Sequence, residues 1–343
     1  MPHAALYRKY RPGAFKEFRD QDAIVSVLEA AIKKGTLAHA YLFAGGRGTG
    51  KTSMARALAH AVETSDSDIH EMDAASNRGI DEIRELREGV STLPFESDYK
   101  FYIIDEAHAL TPAAWGALLK TLEEPPPHVV FVLATTELNK VPDTIVSRCQ
   151  VFQFKNPSHE TLKKLVLDVS KKEGVTIASE GAELVALMGD GSFRDTLSIL
   201  QKVLTLSEDS KLSEEEVAKV VGAPSSAIVN AFLHMLARKD VAGALKSFHE
   251  AHKGGVEPKV FCMLAIAKVR AVLLMRFAPE LKKTLTEQFS DDDLEVITQL
   301  SGTEGASLNA ALLSELITAL LEMPRAPIPA IPLELALYRV FPQ

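Results

Sequence analysis

A chain of 343 residues with 46% hydrophobic and 24% charged residues has the composition of an ordinary globular protein and length for two or three domains. Its net charge of −8 is opposite to that of a protein coating nucleic acid nonspecifically, so any contact with DNA needs a local basic surface. Two cysteines, Cys149 and Cys262, exclude a disulfide framework and a four-cysteine zinc site, and no apolar run approaches a membrane span.

Met1 to Lys9 lacks the apolar stretch of an export signal, and a reducing, cytoplasmic setting is expected. Leu6-Tyr7-Arg8-Lys9-Tyr10-Arg11-Pro12 interleaves aromatic and basic residues, either as a solvated arm or as a segment lying over a nucleotide base. Asp22 to Lys34 carries Ile24, Val27, Leu28, Ala31 and Ile32 at helical spacing. Short β-rich runs follow at Tyr41–Ala44, Ile69–Asp73, Phe101–Ile104, Val129–Thr135 and Val151–Phe154. Helical patterns alternate with them at Thr52–Val62, Asp81–Val90 and Pro112–Glu123. This alternation predicts a five-stranded parallel sheet covered on both faces, an α/β domain over residues 1–157 whose ligands bind beyond the carboxyl ends of the strands.

Gly45-Gly46-Arg47-Gly48-Thr49-Gly50-Lys51-Thr52 joins the first strand to the next helix, as a phosphate-binding loop does. Gly45, Gly48 and Gly50 let the chain turn so that backbone N–H groups, including those of Thr49 and Ser53, point at phosphate oxygens. The helix adds its positive end. Lys51 reaches the outer phosphates, and the Thr52 hydroxyl serves Mg²⁺. Phe101-Tyr102-Ile103-Ile104-Asp105-Glu106 ends in two acids: Asp105 to hold Mg²⁺, Glu106 to polarise the attacking water. His108 reads as a packed or hydrogen-bonded residue rather than a catalyst. The fourth strand ends in Thr135 and Thr136, and Thr136 is the better candidate to orient water or read the γ-phosphate. In Ser147-Arg148-Cys149, Arg148 is a candidate arginine finger supplied in trans. Arg78, Arg84 and Arg87 follow the second strand as candidate DNA contacts, against a solvated helix with Glu82, Glu85 and Glu88 as ion-pair partners.

Residues 158–221 predict a small helical domain: Glu160–Glu173, Ser179–Met188, Phe193–Leu206 and Ser213–Val221. Ser192 suits an N-cap. Arg194 stands in the first turn, where the helix dipole disfavours a cation, so contact with a nucleotide phosphate would account for it. Residues 222–343 are helical throughout, with helices at Ser226–Leu236, Val241–Ala251, Pro258–Phe277, Asp291–Leu300, Ser307–Leu321 and Leu333–Val340. No catalytic constellation shows there.

The phosphate loop, the acid pair, the strand-end threonine, Ser147-Arg148-Cys149 and Arg194 together resemble the AAA+ ATPases of clamp loaders. Tyr7-Arg8-Lys9-Tyr10-Arg11-Pro12, His39-Ala40-Tyr41-Leu42-Phe43, Asp73-Ala74-Ala75-Ser76-Asn77 and Leu119-Lys120-Thr121-Leu122-Glu123-Glu124-Pro125-Pro126 resemble the bacterial DNA polymerase III gamma/tau subunits. The likeness is dense over residues 5–200 and weaker from 222 onward. It implies ATP and Mg²⁺ as ligands and several copies with delta and delta prime in a pentameric ring. The sliding clamp and primed DNA are the implied partners, with no membrane. It assigns Thr136 to sensor 1, Arg148 to the trans finger and Arg194 to sensor 2. Tyr7, Arg8 and Pro12 fall beside adenine, residues 158–221 form a lid, and 222–343 an oligomerising collar.

The family usually carries a four-cysteine zinc module where this chain has Ala61-Val62-Glu63-Thr64-Ser65-Asp66-Ser67-Asp68, so no zinc is expected. Arg19-Asp20-Gln21 stands where Val-Gly-Gln is usual. The chain ends after the collar, which favours the shorter, gamma-like role, and no polymerase domain is recognisable. The competing expectation is an AAA+ motor that remodels branched or recombining DNA.

Overall fold

Five short apolar runs become one parallel sheet: β1 Ala40–Gly45, β2 Ile69–Asp73, β3 Lys100–Asp105, β4 Val129–Thr135 and β5 Gln150–Phe154. Their spatial order is β2-β3-β4-β1-β5. This computed structural model describes residues 5–206, 210–281, 285, 289–302 and 305–342. Successive side chains in a strand face opposite ways, and the three central strands are apolar on both faces. Tyr41, Phe43, Phe101, Ile103, Val130 and Val132 therefore line one core. Leu42, Tyr102, Ile104, Phe131 and Leu133 line the other. A strand buried on both faces needs a cover on each. Leu28 of helix α2 (Asp22–Lys34) and Met54 and Leu58 of α3 (Lys51–Ala61) cover the first. Ile83 of α4 (Ile80–Val90) and Trp115, Leu118 and Leu122 of α5 (Pro112–Glu123) cover the second. In α2 only part of the predicted stripe is buried, since Val27 is 46% exposed.

Helix α1 (Leu6–Lys9) and α6 (Asp143–Val146) are too short to show a period in sequence. The chain continues through α7 His159–Lys172, α8 Ser179–Met188, α9 Phe193–Leu206 and α10 Glu214–Val221. A two-residue parallel pair, Thr176–Ile177 with Lys211–Leu212, is an addition to the predicted elements. Then come α11 Ser226–Ala237, α12 Val241–Lys253, α13 Pro258–Phe277, α14 Asp291–Ser301, α15 Ala310–Glu322 and α16 Ile331–Val340. Helix α15 starts later than Ser307 because the Asn309 side chain caps it, accepting from Leu312 N at 3.0 Å. Ser213 forms a capping box with Glu216 at α10.

These residues fall into two compact units. One runs to Leu162 and includes Gly189–Ser198; the other comprises Lys163–Met188 and the chain from Ile199. The second has its own core around Phe232, Phe248 and Phe261, whose rings pack edge to face at 5.0 and 5.1 Å. Among the described residues no single helix is long and apolar enough to cross a membrane.

Candidate nucleotide-binding site

The register aligns the carboxyl ends of three adjacent strands, with Ala44 of β1 beside Thr135 of β4 and Leu133 beside Ile104 of β3. The glycine loop, the acid pair and the threonines leave the sheet at one edge for this reason. Gly48 and Gly50 adopt φ of 69° and 101°, which residues with a side chain rarely adopt. A Cβ on Gly48 would also collide with the Ser192 hydroxyl. Phe193 N donates to Gly48 O at 3.0 Å, so the segment carrying Arg194 is bonded directly to the loop. Ser192 caps its helix as expected, its Oγ accepting from Asp195 N at 3.2 Å.

Lys51 is buried, and its Nζ donates to Gly45 O at 2.8 Å and Gly46 O at 2.7 Å. Burial lowers its pKa from the usual lysine value, and Glu106 and Asp105 work against that shift. Thr49 Oγ1 donates to Gly46 O at 2.9 Å and steadies the loop. Thr52 Oγ1 donates to Asp105 Oδ2 at 2.7 Å, which sets a hydroxyl and a carboxylate side by side. Two hard oxygen ligands of this kind suit Mg²⁺, which takes its remaining oxygens from phosphate and water. Asp105 Oδ1 accepts from Glu106 N at 3.0 Å, and Glu106 has φ 47°, a left-handed non-glycine residue. Thr136 Oγ1 donates to Glu106 Oε2 at 3.0 Å. Thr135 is fully buried and accepts from Glu137 N, so Thr136 is the hydroxyl on the acid.

The Arg194 guanidinium lies over the Tyr7 ring, 5.0 Å from its centroid, and that of Arg8 lies at 5.8 Å. The hydrogen bond and charge of Arg8, followed by Arg194, lower the Tyr7 phenol pKa. Pro12 is half-buried next to Arg11. Arg11 itself is a site residue that pattern reading passed over: its Nε donates to Ser53 Oγ, 3.0 Å away, in the first turn after the loop. Its place among basic and aromatic neighbours was the available signal. The variant Arg19-Asp20-Gln21 also finds a role. Asp20 takes φ 58°, a conformation suited to glycine, and its carboxylate accepts from Ser158 N at 2.8 Å and Thr161 Oγ1 at 2.9 Å. Gln21 Nε2 donates to Lys155 O at 2.8 Å.

Two predicted groups lie apart from this cluster. The Arg148 guanidinium bonds Thr144 O at 2.7 Å and Glu123 Oε1 at 2.8 Å. Of the three candidate DNA contacts, Arg78 and Arg84 are exposed and Arg87 is half-buried. Arg84 pairs with Asp81 at 3.0 Å, one turn earlier on its own helix, rather than with the glutamates expected from the sequence.

Residues 20–78 and 62–158 match the family model for the DNA polymerase III delta subunit. Residues 212–342 match that for domain III of DNA polymerase III subunits gamma and tau. DNA polymerase III subunit tau of Bacillus subtilis is 37% identical over 320 residues, covering 87% of this chain and 57% of that protein. The gamma/tau subunit of Mycoplasma pneumoniae is 42% identical over 234 residues, 62% of this chain and 34% of that protein. The chain belongs to the DNA polymerase III gamma/tau family. As a gamma/tau family member it spans 57% and 34% of the lengths of these two relatives. The domain III match over 212–342 covers the stretch in which the likeness was expected to be weaker. The Thermotoga maritima RuvB Holliday junction branch migration motor superposes with a TM-score of 0.53 at 22% identity, over 67% of this chain and 78% of RuvB. At that identity the likeness shows the AAA+ fold alone.

Proposed function

We propose that this chain is an ATPase subunit of a sliding-clamp loader. One observation carries the reading: Lys51, Thr52, Asp105, Glu106 and Thr136 converge at one sheet edge, on the loop to which the Arg194 segment is bonded. Bound MgATP supplies the phosphoanhydride to be cleaved and a divalent charge on its oxygens. Lys51 turns from the loop carbonyls to the outer phosphates. Thr52 and Asp105 hold the cation, and Glu106 takes the proton of the attacking water while Thr136 fixes its orientation. Tyr7, Arg8 and Pro12 pack beside the base, and Arg194 reads the γ-phosphate.

In this reading Arg148 leaves Glu123 and acts on a neighbouring copy's nucleotide. Residues 1–157, 158–221 and 222–343 serve as ATPase domain, lid and collar, in a pentameric ring with delta and delta prime. ATP binding lets the ring grip and open the clamp, and primed DNA triggers hydrolysis. Membership of the gamma/tau family supports this assignment.

Steady-state ATPase of wild type, Lys51→Ala and Arg148→Ala tests it. Each is assayed alone, with delta and delta prime, and with clamp plus primed DNA. The expected result is hydrolysis stimulated by clamp and DNA together, abolished by Lys51→Ala. Arg148→Ala reduces that stimulated rate by about 10³-fold or more while ATP still binds. Fast hydrolysis by the isolated chain on branched DNA, indifferent to the clamp, would replace this reading with that of a remodelling motor.

A further inference from the structure

Between the ends of β3 and β4 one side chain touches the proposed base without joining the nucleotide cluster. His108 lies in the turn Ala107–Ala109, its side chain 16% exposed. Its Nδ1 is 3.1 Å from Thr135 Oγ1 and 3.4 Å from Glu106 Oε2. Its Nε2 is 3.4 Å from Glu137 Oε1. A single ring therefore spans a carboxylate just past β3 and another just past β4. Each ring nitrogen thus faces an oxygen at a strand end: Nδ1 those of Thr135 and Glu106, Nε2 that of Glu137. Thr135 is held in turn, since its Oγ1 accepts from Glu137 N at 3.0 Å.

The Thr136 hydroxyl reaches the same Glu106 oxygen, Oε2, at 3.0 Å. Thr136, just past β4, and His108, in the turn just past β3, both approach Oε2 and together restrict the rotation of the carboxylate. The Glu106 backbone is left-handed, φ 47°, a conformation uncommon for a residue with a side chain. A base works only within hydrogen-bond reach of the proton it removes.

We propose that His108 is a positioning residue for hydrolysis: it clamps Glu106 Oε2 to the end of β4 and so aims Oε1 at the attacking water. This rests on the ATPase reading of Glu106. It adds to that reading a residue whose contacts are with the base and its strand-end neighbours.

The test measures kcat, nucleotide Kd and melting temperature for wild type, His108→Ala, His108→Asn and His108→Gln, each assembled with delta and delta prime. Asparagine puts an amide where Nδ1 stands, and glutamine puts one where Nε2 stands. His108→Ala should lower kcat roughly ten- to a hundredfold, the scale of a misplaced catalytic group. Kd should stay within about twofold of wild type, because a group acting on the chemical step moves kcat alone. His108→Asn should restore most of the rate and His108→Gln should not. Wild-type kcat in His108→Ala would overturn the proposal. So would equal losses in the asparagine and glutamine variants that track a lower melting temperature. A Lys51→Ala control that hydrolyses ATP as fast as wild type would instead sink the site reading, and the positioning role with it.

Discussion

Asp68 ends the segment that stands in place of a zinc module, and it organises the loop before β3. Its buried carboxylate accepts from the backbone of Phe95 at 2.6 Å, Glu96 at 2.9 Å and Ser97 at 3.0 Å. Burial pushes its pKa up, but the three N–H bonds outweigh that and hold it below the ordinary carboxylate value. A depressed carboxyl stabilises the fold fully above its unfolded pKa, and that contribution is lost as pH falls through the folded value. Asp68→Asn should cost roughly 1–3 kcal/mol at neutral pH, since it leaves buried amides underbonded. The gap to wild type should begin to narrow below about pH 4. Urea unfolding followed by the fluorescence of Trp115, the chain's single tryptophan, checks this within the right unit, because Trp115 is buried in the same sheet domain. A pH-independent gap would show that the N–H bonds to the charged form are not the cause. Nothing in the sequence marks Asp68, an acid among acids and serines. The Lys51 side chain, by contrast, was legible at once, because only a phosphate loop requires that spacing of glycine, lysine and threonine.

At the scale of elements, the helices of the second unit carry a buried polar knot. Lys268 of α13 is 3% exposed and donates to Asp293 Oδ1 at 2.6 Å, to Asn230 Oδ1 at 2.7 Å and to Ser226 Oγ at 2.5 Å. Asp293 belongs to α14 and the other two to α11, so one ammonium ties three helices. Removing one partner of a buried ion pair strands the other in low dielectric, at roughly 3–5 kcal/mol. Lys268→Met should destabilise the second unit by that amount, and Lys268→Met with Asp293→Leu should recover most of it. Hydrogen exchange of the amides of α13 reads both. If the single variant is as protected as wild type, the knot does not hold the helices. Periodicity located α13 within its true bounds, but lysines are seldom fully buried, and nothing local marks Lys268 as one that is. The partner that keeps it inside lies 25 residues away in sequence, beyond any local pattern.

At the scale of the whole molecule, the proposed ring determines which surfaces meet DNA. If Arg78, Arg84 and Arg87 line its channel, each arginine removed should lower the slope of log affinity against log salt by about one, with no change of sequence preference. Fluorescence anisotropy of primed DNA across a salt series measures it. An unchanged slope assigns these side chains to solvent and to local pairs such as Arg84 with Asp81.

The sequence by itself determined the order of strands and helices, the phosphate loop, the acid pair and the family. These depend on local spacing: short β-rich apolar runs for strands, a period of 3.6 for helices, and a fixed run of glycines before Lys51. The tertiary structure decided what spacing cannot carry. It put the Thr136 hydroxyl on Glu106, bonded Gly48 to the Arg194 segment, placed Arg11 on Ser53, and set His108 between two strand-end carboxylates. The contacts of Thr136 and His108 join residues brought together by sheet order, in which β1 and β3 flank β4 although β2 and β3 separate β1 from β4 in the chain. Such neighbours are made by hydrogen-bonded strand pairing over long loops, and no pattern of nearby residues encodes them.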